Sequence, residues 1–147
     1  MMPLVTTILG VDPGICGGLA IVIDIPVTGT GPKERIDAIA LRAWIVAHKP
    51  RHAYIERAQA MPKQGASSGF KYGRAVGAIE AVLACCEIPM TVVEPSAWKK
   101  SHRLRGKDKE SGRQRALQLF PAQHALLALK RWHGRAAALI ALYGALL

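Results

Sequence analysis

Two short apolar runs in this chain each end on a carboxylate, and this constrains the fold more than any other feature. Residues 6–11 are apolar and β-branched and stop at the turn Asp12-Pro13-Gly14. Residues 53–55 form a second such run and stop at Glu56. Short apolar runs bounded by turn residues read as buried strands. If these two strands are neighbours, both acids emerge at one edge of the sheet. A further apolar run, 17–25, follows the acidic turn and reads as the return strand of a hairpin. The remainder alternates. Residues 26–32 hold two Gly, two Pro and two Thr and read as a loop. Ile36, Ile39, Ala40, Ala43, Trp44 and Ala47 recur at helical spacing, which predicts a helix to about His48 with these residues inside.

Residues 57–69 are rich in Gly, Ser, Gln and Pro and read as an exposed loop. A helix follows over 72–87, with Gly73 and Gly77 spaced so that another backbone could approach. A strand is expected over 90–93, a helix over about 109–120 closed by Pro121, and an apolar helix over 135–146 that should pack on the sheet. The expected class is α/β: one domain over 1–147, with a mixed sheet flanked by helices and opening on a hairpin.

Charge is distributed unevenly. Residues 1–95 carry nine Lys/Arg and eight Asp/Glu, whereas 96–147 carry eleven and two. The segment 99–109 is the densest, with Lys99, Lys100, Arg103, Arg105, Lys107 and Lys109. A polyanion is the natural partner of such a field. No apolar stretch reaches the roughly 20 residues that span a bilayer, and the N-terminus lacks a basic region followed by a long apolar core. A membrane or secreted protein is thus disfavoured, and a cytoplasmic one expected. Cys16, Cys85 and Cys86 have no metal-ligand spacing and read as buried reduced thiols.

With only ten carboxylates, candidates for chemistry are few. Asp24, Glu34, Asp37, Glu80, Glu87, Asp108 and Glu110 fall on predicted loops or helix surfaces. Glu94 ends a strand and is ambiguous. Asp12 and Glu56 stand apart. Two convergent carboxylates suit Mg²⁺ beside a phosphodiester, because that ion prefers hard oxygen ligands. An Asp-Pro-Gly sequence is also a common turn, so Asp12 alone decides nothing. His133, at the start of the last helix, could cap or lie on the surface, ligate a metal, or pass a proton.

Four segments, taken together, resemble RuvC-type Holliday junction resolvases of the RNase H-like nucleases, especially the short phage-type members. They are Ile8-Leu9-Gly10-Val11-Asp12-Pro13-Gly14 with Gly17-Gly18-Leu19-Ala20; Tyr54-Ile55-Glu56-Arg57 through Tyr72-Gly73-Arg74-Ala75-Val76-Gly77; Val92-Val93-Glu94-Pro95-Ser96-Ala97-Trp98-Lys99-Lys100 with Gly106-Lys107-Asp108-Lys109-Glu110; and His133-Gly134-Arg135-Ala136-Ala137-Ala138-Leu139-Ile140-Ala141. The resemblance implies an RNase H-like fold, a homodimer, four-way DNA junctions as substrate, and Mg²⁺- or Mn²⁺-dependent hydrolysis leaving a 5′-phosphate and a 3′-hydroxyl. It implies Asp12 and Glu56 as metal ligands, with His133 as a further ligand or proton shuttle. It implies DNA contacts from the loop carrying Gln59, Lys63, Ser67, Ser68 and Phe70, and from Lys99, Lys107 and Lys109; Arg74 beside that loop, and Lys100, Arg103, Arg105 and Arg113 in the basic region, are further candidate DNA contacts.

One position departs from the family. Ala137 stands where relatives carry Asp or Glu, Trp132 stands where many have Asp, and no carboxylate follows Glu110. Three explanations stay open: an acid replaced to trap an uncut complex, a natural junction-binding pseudo-nuclease, or a site complete with Asp12, Glu56 and His133. On the first, an acid at 137 should restore cleavage. Two rivals remain. One is a non-catalytic junction-binding module. The other is an actin-like phosphotransferase, whose phosphate loop also follows a glycine-rich hairpin. The second requires another phosphate loop and an adenine pocket, neither of which is visible, so no nucleotide cofactor is expected.

Overall fold

The computed structural model describes residues 8–14, 18–19, 23–59, 62–104, 109–120 and 134–145. Its main sheet contains β1 (Ile8–Asp12), β2 (Gly18–Leu19), β3 (Ile23–Asp24), β6 (His52–Glu56) and β7 (Met90–Val93), in the order β3-β2-β1-β6-β7. β1, β6 and β7 run parallel, and β2 lies antiparallel to both β1 and β3. The sheet is mixed, as expected. The expected opening hairpin is present as β1 and β2, and β3 extends it into a meander. Gly18 pairs with Asp24 and Leu19 with Ile23, so the run 17–25 doubles back instead of forming one strand.

Residues 26–36 also depart from the loop expectation. β4 (Val27–Thr28) and β5 (Arg35–Ile36) form a small antiparallel ribbon around a 3-10 turn at Gly31–Lys33. Ile36 is therefore a strand residue. Helix α1 (Ala38–His48) starts after it, capped by Asp37, whose Oδ1 accepts from Ala40 N at 3.0 Å. The buried face is Leu41 and Ile45, with Trp44 at its margin, and Ile39 is 84% exposed. The buried face is rotated from the expected one because Ile36, in β5, is not part of the helix.

Helix α2 (Ala66–Cys85) begins six residues before the expected start. Gly65 O accepts from Gly69 N at 2.9 Å, so the polar stretch read as loop is its first turn. Gly73 and Gly77 are exposed with open space around them, which corrects the close approach expected there. Cys85 is exposed and Cys86 half-buried, contrary to expectation, and Cys16 lies outside the described residues.

Three further helices follow: α3 (Pro95–Ser101), α4 (Lys109–Leu119) and α5 (Gly134–Ala145). α1 and α2 cover one sheet face, where Leu9, Val11, Ile25, Ile36, Leu41, Ile45, Ala53, Ile55, Ala75, Ile79 and Leu83 form one core. On the opposite face Val93, Trp98, Leu104, Ala116, Leu139 and Ile140 form a second core, joined by Tyr54 and Tyr143. Strand alternation explains the split: odd positions of β1 and β6 face α2, and even positions face α5. α5 packs on β1, β2 and β6 as its apolar composition predicts.

The approach is close because Gly10 has no side chain: a Cβ there would collide with Ala137 O and lie 2.6 Å from Ala141 N. Gly144 makes the same allowance for the Tyr54 ring. Among the described residues no helix is long and apolar enough to cross a membrane.

Candidate active site and nucleic-acid face

Register brings the two acids together. Val11 pairs with Ile55, and the next residues along these parallel strands are Asp12 and Glu56. Both are half-buried at the carboxyl edge of the sheet, on the face that α5 covers. α5 meets Gly10 near Ala137 and Ala141 and reaches Tyr54 at Gly144, so it crosses from β1 towards β6. Its first turn therefore points to the β2 side, where Gly18 pairs with Asp12.

Glu56 is held from α3. Trp98 is 5% exposed, and its Nε1 donates to Glu56 Oε2 at 2.6 Å. Lys99 Nζ lies over that indole, 5.6 Å from the ring centroid. Trp98 thus meets an anion at its N–H edge and a cation over its ring. Glu94, the ambiguous acid, precedes α3 as its N-cap residue and pairs with Arg57. This engagement assigns it to the surface.

Tyr72 on α2 borders the pair and carried no role in the sequence reading. Its ring edge rests against Gly14, where a Cβ would lie 3.2 Å from Cε1. Burial raises its phenol pKa, and the charges of Asp12 and then Glu56 raise it further. Nothing in the residue pattern singled out Tyr72 or the Trp98 bond, because both depend on contacts across 40 or more positions of chain or between different layers.

Two half-exposed carboxylates at a strand edge fit a hard divalent cation, which commonly takes one or two protein carboxylates and completes its shell with water and phosphate oxygens. Among the described residues no group of three or more His, Cys, Asp and Glu gathers for a metal. His133 lies outside the described residues. Ala137 is 0% exposed, pressed on Gly10 in the helix–sheet contact. A carboxylate there would lie inside the packed layer.

The expected DNA contacts fall on two surfaces. Gln59 and Lys63 are exposed in the segment before α2. Ser67, Ser68, Phe70 and Arg74 are exposed on its first turns, with Phe70 at 74%. Lys71 in the same stretch pairs with Glu34 at 3.6 Å. Lys99, Lys100 and Arg103 are exposed on α3 and just after it, and Arg113 is half-buried in α4. Arg105 and Lys107 lie outside the described residues. Lys109 begins α4.

The fold as a whole is similar to solved RuvC structures. RuvC of Thermus thermophilus matches with a TM-score of 0.50 and 22% identity, over 94% of this chain and 92% of that one. T. thermophilus RuvC in complex with a Holliday junction substrate matches with a TM-score of 0.59 and 19% identity, over the same shares. The fold is RuvC-like. No family model matches the sequence, and no curated protein does. The RuvC-like fold thus rests on shape at low identity.

Proposed function

We propose that this chain is a RuvC-type nuclease that acts on four-way DNA junctions with Mg²⁺ or Mn²⁺. One observation carries the reading: Asp12 and Glu56 stand next to each other on adjacent parallel strands at the edge of a RuvC-like sheet. Asp12 and Glu56 would hold the cation. When bound, it supplies an activated water and neutralises charge that develops on the phosphate. Trp98 fixes the orientation of Glu56 through its indole N–H. Lys99, Lys100 and Arg103 would grip the phosphates of the cut strand. Phe70, exposed above the first turn of α2, would stack on an unpaired base at the branch.

A homodimer fits this reading, since a junction offers two equivalent strands. Exposed Ile39 and Val46, seven apart on the outer side of α1, provide apolar surface for a second copy. The cytoplasm of a bacterium or of a phage-infected cell is the corresponding place of action.

The test uses a labelled four-way junction and a matched duplex, with and without Mg²⁺ or Mn²⁺. Metal-dependent cutting of the junction alone, lost in Asp12→Asn, is the expected result. A second reading, a junction-binding protein that does not cut, draws on the buried Ala137 and the absence of a third ligating side chain among the described residues. Tight junction binding without cutting would favour it. Equal affinity for junction and duplex would sink both.

A further inference from the structure

Helix α4 carries a polar stripe that the second core does not use. Ser111, Gln114, Arg115 and Gln118 follow one another at spacings of three and four, so they share one side of the helix. Ala116 is fully buried in the core on another side. With His102, Arg103 and Leu104, just past the end of α3, the stripe lines an open cavity of about 420 Å³. Of the described residues on its wall, only Leu104 lacks a hydrogen-bonding side chain. Two of them are arginines and none is an acid.

The protein leaves Arg115 incompletely paired. Its Nη1 donates to Gln118 Oε1 at 3.2 Å. Its Nε is closed to water and has no acceptor among the described residues. A guanidinium does not give up its proton, and a buried donor without a partner is destabilising, more so when charged. The one acidic position of α4, 110, is five residues before Arg115 and so falls on a different side of the helix. The present pose of Arg115 is therefore poorly satisfied, and an oxyanion in the cavity would supply the acceptors that the wall lacks. Arg103 adds a second observation. It has a φ of 60° beside the bond from Leu104 N to Lys99 O that closes α3, at 2.6 Å. Glycine is the usual residue in this conformation after a helix. An arginine there is conformationally costly, and it brings a second guanidinium to the cavity wall.

The place of the cavity fits a strand of DNA. Trp98, in the middle of α3, bonds Glu56, whereas the cavity begins beyond the last turn of the same helix. Exposed Lys99 and Lys100 lie between the two. We propose that the cavity between α3 and α4 is a phosphate site, in which Arg103 and Arg115 clasp one backbone phosphate of bound DNA away from the acid pair. The guanidinium fork suits that ligand, since two N–H groups can meet two phosphate oxygens. The proposal rests on the reading of the chain as a DNA-binding protein.

The experiment is a junction gel shift over a range of salt concentrations, with thermal melting of the free protein. Arg115→Met keeps an unbranched apolar stem and removes the guanidinium. It should weaken junction binding about tenfold or more at low salt and lower the slope of log K against log salt by about one phosphate contact. Its melting temperature should hold or rise, because the unpaired buried donor is gone. Arg103→Gly suits the φ of 60° and should show the same loss of slope without a loss of stability. Inorganic phosphate against chloride, at equal ionic strength, separates the two sources of the anion. If phosphate raises the melting temperature of the parent but not of Arg115→Met, and the DNA slope is unchanged, the cavity takes free phosphate and the backbone assignment is overturned. If the parent binds DNA and both variants keep its affinity and slope, the site is overturned while the DNA reading stands. A slope lost only together with melting temperature in both variants would make the arginines struts of the fold and overturn it too. If the parent binds neither junction nor duplex, the DNA reading falls and the phosphate assignment falls with it.

Discussion

Trp98 donates its indole N–H to Glu56 across 42 residues of chain, at 2.6 Å, from a helix that follows the neighbouring strand. The bond is charge-assisted and partly screened from water, the setting in which a hydrogen bond to an ionised group contributes about 1.5–3 kcal/mol. Trp98→Phe keeps an aromatic face for Lys99 and removes the donor. Urea unfolding should show a loss of about 2 kcal/mol. Junction cutting should slow more than junction binding weakens, because Glu56 loses its orientation while the basic surface remains. Equal losses in both would mean that Trp98 acts only through packing.

Position 137 tests the arrangement of the final helix. Ala137 has no exposed surface, and its backbone carbonyl lies in the contact between α5 and β1. A buried carboxylate without a partner costs several kcal/mol. Ala137→Asp should therefore lower stability by more than about 3 kcal/mol and yield no gain in cutting. Melting and junction cleavage of the same preparation check both halves. A stable variant with restored metal-dependent cutting would show instead that the helix can shift to bring 137 to the acid pair.

Phe70 and Lys99 separate two kinds of DNA contact. Phe70 is 74% exposed, so its removal leaves the fold intact. Stacking of a base on an aromatic ring contributes about 1–3 kcal/mol. Phe70→Ala should weaken junction binding about tenfold and duplex binding little, measured by gel shift on both. Lys99→Ala should weaken both and reduce the slope of log K against log salt by about one phosphate contact. An unchanged slope removes Lys99 from the phosphate-contacting set.

Much of this organisation is legible from residue pattern, for reasons that differ by element. β1, β6 and β7 are short apolar runs with clear ends, so their places and the edge position of Asp12 and Glu56 follow from composition. The final helix is apolar on nearly every side and had to be covered. The early start of α2 was hidden because Ser67, Ser68 and Gly69 carry weak helix propensity, whereas a continuous backbone ladder and the packing of the later turns hold the first turn in place. The β2–β3 doubling was hidden because apolar content does not report chain reversal. The site was legible as an acid pair and illegible in its surroundings. Trp98 and Tyr72 come to Asp12 and Glu56 from two helices on opposite faces of the sheet, and no local spacing encodes such a meeting.

His102 gives the fold a pH dependence whose sign can be worked out. It is 4% exposed at the end of α3, and its Nε2 bonds Leu139 O at 2.8 Å, tying α3 to α5. Burial lowers its pKa below the ordinary 6.5; the Leu139 carbonyl opposes this, and the charge of Arg115 adds to it. In the folded chain the ring thus resists protonation, whereas in the unfolded chain it takes a proton at its ordinary value. The unfolded state binds more protons between the two values, so stability rises with pH there. The contribution is complete above 6.5 and is lost as pH falls from 6.5 towards the depressed folded value. His102→Gln retains an amide donor for Leu139 O and does not titrate. Melting temperatures of parent and variant should therefore differ in their pH dependence. The parent should lose stability between pH 7.5 and 5.5, and His102→Gln should lose less over the same interval. Parallel curves would mean that the imidazole titrates alike in both states and that the acid sensitivity of the fold arises elsewhere.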